Sequence, residues 1–83
     1  NISQAYYSRG TAYMKLAEYK HAISDFTETI NRNRNFYLAY YYKGLCLESI
    51  GDKESAKNIY REGLQVTPAS ETEILKDMQK RTK

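Results

Sequence analysis

The thiol and the imidazole, the side chains most often paired as nucleophile and base, each occur once, as Cys46 and His21. A cysteine nucleophile needs a base or a cation beside it to hold the thiolate. Cys46 stands between Leu45 and Leu47, which reads as an apolar helix face where a thiol packs as a small hydrophobe. His21 lies among Lys20, Ala22 and Ser24, with no repeated Asp–His spacing, and reads as a solvated helix residue. One Cys and one His cannot supply the usual four ligands of a metal site within the chain. There is no glycine-rich phosphate loop. Asp52 and Glu54 have the placement of helix-start acids that complement the macrodipole. These residues point away from an enzyme, and neither cofactor nor metal is expected.

Charge gives no stronger lead. Of 83 residues, 41% are hydrophobic and 28% charged, with a net charge of +3, which suits one small globular unit. Lys76, Lys80, Arg81 and Lys83 stand against Asp77 in "KDMQKRTK" and carry the whole excess, leaving nine cations balanced by nine acids elsewhere. A basic tail is a weaker sign of nucleic acid than a basic face, so nucleic acid is disfavoured as a partner. No apolar run is long enough to cross a membrane. The opening "NISQAYY" has neither Met nor a leader pattern, and reads as the start of a fragment of a longer protein. A lone cysteine favours a reducing, intracellular, cytoplasmic setting.

The informative feature is a repetition. "AYYSRG" from Ala5 returns as "AYYYKG" from Ala39, 34 residues later. At the same offset Tyr6 meets Tyr40, Gly10 meets Gly44, Ala22 meets Ala56, Phe26 meets Tyr60 and Ile30 meets Leu64. Apolar spacing predicts helices over about 3–16 and 19–32 in one unit, and 37–49 and 53–66 in the next. Gly51 and Asp52 supply a helix stop and an N-cap between the second pair. Ala17 and Glu18 hold those places in the first pair, as a poorer stop and weaker cap. Pro68 ends the second unit, and Ser70 with Glu73 has the spacing of a capping box for a last helix over about 71–81.

Gly10 and Gly44 fall inside helices, where Gly costs about 1 kcal/mol against Ala. Close approach of the partner helix, at the small residues Ala22 and Ala56, would offset that cost. Tyr6, Tyr13 and Phe26, then Tyr40, Leu47 and Tyr60, would fill the surrounding space. The fold class is therefore all-α, antiparallel helix pairs stacked as a short solenoid.

These residues resemble the tetratricopeptide repeat (TPR) family, whose 34-residue unit reads W-x2-L-G-x2-Y, then A-x3-F, then P. Here the pattern is Tyr6-x2-Arg9-Gly10-x2-Tyr13 with Ala22-x3-Phe26, and Tyr40-x2-Lys43-Gly44-x2-Leu47 with Ala56-x3-Tyr60 and Pro68. It departs in Tyr for Trp, a basic residue for Leu, Leu47 for Tyr, Gly63 for a usual Ala, and Arg34 for the first Pro. The "NRNRNF" loop is expected to be looser without that Pro. The resemblance implies unit one over 1–36, unit two over 37–70, and a capping helix with basic tail over 71–83. A third unit cut short is the competing reading of the last segment. In the cap, Ile74, Leu75 and Met78 face inward, with Glu73, Lys76, Asp77 and Lys80 outward.

By the same resemblance, the function expected is non-catalytic protein–protein interaction, with a peptide or helix of a partner lying in an aromatic-lined concave groove. The second stripe of each first helix would line it: Tyr7, Thr11 and Met14, then Leu38, Tyr41, Leu45 and Glu48, with Tyr42 and Ser49 at the margin. Apolar stripes at helical spacing are more often core than binding surface, and Leu38 and Leu45 have packing between first helices as their competing role. Four tyrosines within "YLAYYYKG" cannot all face one core, which favours recognition. The family's clamp for chaperone C-terminal tails needs Lys, Asn and Arg on its first helices. In one register Tyr7, Thr11 and Tyr42 would stand in those places; in the other Ser8, Leu38 and Tyr42 would. Such tails are disfavoured partners. The alternative function is self-association through the stacking faces, giving a homo-oligomer at the open N-terminal face.

Overall fold

The computed structural model describes residues 1–83 as five helices joined by short turns. Helix α1 (Ile2–Lys15) opens where the Asn1 side chain accepts the Gln4 amide proton at 3.1 Å. Helices α2 (Tyr19–Arg32), α3 (Tyr37–Ser49) and α4 (Lys53–Val66) have the bounds expected from the period. Helix α5 (Thr72–Arg81) follows Pro68, but not through the expected capping box. Ser70 is exposed, Glu71 occupies the N-cap without a side-chain bond, and the Glu71 amide instead donates to the Pro68 carbonyl at 3.0 Å. That proline turn fixes the entry to α5, which leaves the Ser70 hydroxyl nothing to cap.

Within each unit a tight turn sends the second helix back along the first, and the two turns have the same hydrogen bonds. The Glu18 amide donates to the Tyr13 carbonyl and the Asp52 amide to the Leu47 carbonyl, both at 2.9 Å. This is the Schellman closure, and it needs a left-handed residue just before the donor. Gly51 supplies it at φ 86°, whereas in unit one Ala17 is forced to φ 60°. Asp52 also caps α4 by accepting from the Ser55 amide at 3.2 Å, and Glu18 caps nothing. The stop and cap in unit one are poorer, as their residue types imply.

Helix α2 packs against both α1 and α3, and α4 against both α3 and α5. The buried core runs through these contacts, with Ala22, Phe26, Ala39, Tyr40, Ala56, Tyr60 and Met78 among its members. The helix glycines are explained by rings rather than by the small surfaces of Ala22 and Ala56. A Cβ on Gly10 would come within 2.8 Å of the Phe26 ring, and one on Gly44 would overlap the Tyr60 ring outright. Each ring is seated against bare backbone, and the lost helix propensity is offset by a fully buried aromatic side chain. Tyr6 and Tyr13, expected in the core, are only half-buried, while their counterparts Tyr40 and Leu47 are buried.

The "NRNRNF" loop is pinned despite lacking its proline. The Asn33 side chain accepts the Asn35 amide proton at 3.1 Å, and the Tyr40 hydroxyl donates to the Arg34 carbonyl at 2.8 Å. The first is an Asx turn, a side-chain substitute for the rigidity of proline.

Two stability outcomes follow from these contacts. Gly44→Leu should lower stability by about 1–3 kcal/mol or more through overpacking against Tyr60, read from chemical denaturation. Ala17→Gly should raise it by about 0.5–1 kcal/mol, since a left-handed Ala costs about 1–2 kcal/mol and the freer unfolded Gly returns part of that.

Candidate partner-binding surface

Leu38 and Leu45 lie two helical turns apart on α3, with Tyr41 on one side of their line and Tyr42 on the other. All eight residues expected to line the groove, Tyr7, Thr11, Met14, Leu38, Tyr41, Tyr42, Leu45 and Glu48, are half-exposed. They divide sharply by what holds them. Tyr7, Met14, Tyr41 and Tyr42 pack against the buried core, and Leu38 and Leu45 do not.

Tyr7 and Tyr42 form the seam between the two units. The Tyr7 ring lies 4.8 Å from Phe36, 6.0 Å from Phe26 and 6.2 Å from Tyr42, and Tyr42 lies 6.2 Å from Phe26. Burial, with the neighbouring Tyr42 second, pushes the Tyr7 phenol up to about 12. The Thr11 hydroxyl is engaged on its own helix, donating to the Ser8 carbonyl at 2.8 Å.

On the other side, Tyr41 and Glu48 belong to a polar network that fastens α5. The Tyr41 hydroxyl donates to Asp77, whose carboxylate also accepts from Arg81 Nε at 2.9 Å. Arg81 Nη1 reaches Glu48 Oε1 at 2.7 Å, and Glu48 Oε2 accepts from the Tyr60 hydroxyl at 3.0 Å. Burial first, then the bond to Asp77, pushes the Tyr41 phenol up to about 12. Tyr60 is raised for the same leading reason, with Glu48 beside it. The Tyr41 bond, then Arg81, holds the Asp77 carboxyl below the usual carboxylate range. Asp77 therefore does not face outward as its sequence setting implied; it is half-buried against α3. Its i,i+4 spacing to Arg81 was visible in the sequence, but the partner tyrosine lies 36 residues away.

A second ion pair was missed. Arg9, in the place of the family's Leu, grips Asp25 with Nε to Oδ2 and Nη2 to Oδ1, both at 2.8 Å. Asp25 is only 3% exposed, so this bidentate bond is what allows a carboxylate to sit beside Phe26. Those bonds also raise the Arg9 pKa. The signal was an acid next to an apolar position of α2 together with a base on the facing stripe of α1. Lys43 has no such partner, because Ile59 stands where Asp25 does.

The other candidates for chemistry stay apart. Cys46 is buried, and burial pushes its thiol up to about 11. His21 is exposed, stacked at 5.0 Å on Tyr13 with Glu18 3.9 Å away.

The two helix pairs, their ring-on-glycine contacts and the half-exposed stripe are those of a helical-repeat interaction module. The sequence model for the tetratricopeptide repeat matches residues 3–36 and again 37–70, and the chain belongs to that family. Repeats of this family generally mediate protein–protein interaction and do not catalyse. No curated protein matches the chain. No helix is long and apolar enough to cross a membrane.

The network at α5 gives a pH dependence. A carboxyl with a depressed folded-state pKa stabilises the native state above its unfolded pKa of about 4, and that stability is lost as pH falls through the folded value. Asp77→Asn should therefore cost about 1–2 kcal/mol at pH 7. The gap between wild type and variant should close as thermal melts are taken below about pH 4.

Proposed function

We propose that this chain binds a peptide or helix of a partner protein along the stripe centred on Leu38 and Leu45, without catalysis. One observation carries the reading: these two leucines are half-exposed, share one face of α3, and contribute nothing to the core. An aliphatic pair held out of the core and bordered by tyrosines is an anchoring surface of the kind that interfaces use. Tyr7, Tyr42 and Tyr41 serve it as walls whose positions are fixed by packing. Thr11, Met14 and Glu48 border it. With Glu48 bound to Arg81 and Tyr60, the surface presents little free charge, so the partner segment would be apolar or amphipathic rather than acidic. An intracellular, cytoplasmic setting fits the lone buried thiol.

The structure changes which residues should be tested. Removing Tyr7 or Tyr41 would loosen the inter-unit seam or the α5 network, so lost binding there would be ambiguous. Peptides selected on the chain from a display library can be titrated calorimetrically against the wild type and the Leu38→Ala, Leu45→Ala double variant. The variant should keep its helicity and melting temperature within a few degrees and lose at least tenfold in affinity. Equal affinity for both proteins would place the binding surface elsewhere.

A further inference from the structure

Lys43 holds in unit two the register position that Arg9 holds in unit one, but the acid that goes with it is gone. Arg9 is paired with Asp25, whereas the corresponding residue of α4 is the buried Ile59. Lys43 is half-buried and forms no ion pair. It lines a cleft of about 290 Å³ between α3 and α4, together with the apolar side chains of Leu47 and Ile59 and the polar ones of Ser55, Asn58 and Glu62. Helix α2 packs on α3 and α5 on α4. The cleft therefore belongs to a helix pair that has a neighbour on each side.

An ammonium in such a place gives up hydration without gaining a carboxylate, and this favours the neutral amine. Desolvation lowers the Lys43 pKa, and Glu62, the charged group that bears on it, opposes the shift only in part. An arginine here would stay charged, but a lysine can lose its proton and become a nucleophile. The cleft also suits one kind of product. Acylation removes the charge that lacks a partner, and it sets a short acyl group beside Leu47 and Ile59, where burial is favourable. An imine formed with an aldehyde can regain its positive charge, so an acyl donor fits the cleft better than a simple carbonyl compound.

We propose that Lys43 is an acylation site, modified within the α3–α4 cleft by small acyl thioesters. The neutral Nζ attacks the thioester carbonyl carbon, and the C–S bond breaks as the C–N bond forms. The proton shed by the nitrogen ends on the departing thiol. Lys43 points to a different side of α3 from the Leu38 and Leu45 stripe, so this site does not rest on the partner-binding reading.

The test is a brief reaction of the whole chain with the acetyl thioester of a small thiol at about pH 7.5, well below the ordinary lysine pKa. Peptide mapping by mass spectrometry then reads each lysine separately. Lys43 should be acetylated about fivefold or more faster than the average of the other seven lysines. Unfolding the chain in guanidinium chloride should erase that difference. Two exposed positions of the cleft should tune the rate in opposite directions. Glu62→Gln removes the opposing carboxylate and should speed the reaction, and Asn58→Asp adds one and should slow it, each by about two- to threefold with unchanged circular dichroism. Reaction at Lys43 no faster than at the other lysines would overturn the proposal. So would a preference that survives unfolding, or one that neither substitution moves.

Discussion

A pair of short helices has more apolar surface than its own partner can cover, and that shortage governs this molecule. Helix α2 covers the outer face of α3, and α5 covers the outer face of α4. Burial follows this order and not residue type: the same alanine and tyrosine positions are open in unit one and buried in unit two. Hydrophobic stabilisation scales with area removed from water, so each unit draws much of its stability from its neighbour.

The contact inside each unit sets the distance at which this stacking works. A phenyl or phenol ring rests on a helix glycine, Phe26 on Gly10 and Tyr60 on Gly44. The bare backbone lets the second helix come close. At the seam between the units Tyr7 and Tyr42 meet Phe26, and within unit two Tyr41 meets Tyr60. The Tyr60 hydroxyl carries the same contact into the network with Glu48 and Arg81 that holds α5. Core, seam and cap are thus linked through one kind of contact. Leu38 and Leu45 are left outside it.

Much of this was legible in the sequence. The 34-residue offset placed four helices, because period and turn residues are local properties that survive without tertiary information. The conformation forced on Ala17 could be anticipated from its register with Gly51. Ser70 misled because a capping-box pattern competes with a proline turn one step away, and the turn won. Arg9–Asp25 and Tyr41–Asp77 were missed for a different reason. Each joins separate helices at a spacing that helix periodicity does not fix. The eight groove residues were placed on half-exposed surface, but a helical wheel cannot say how far a neighbouring helix overlaps it. That overlap packs Tyr7 and Tyr41 against the core and leaves Leu38 and Leu45 outside it.

If cover by neighbours is what stabilises each helix, local stability should follow the stacking order. Native-state hydrogen exchange at low chain concentration reads this amide by amide. The account predicts the strongest protection in α2, α3 and α4, each packed between two other helices, and partial opening at lower free energy in α1 and α5. Equal protection of α1 and α3, with all amides opening only in global unfolding, would contradict it.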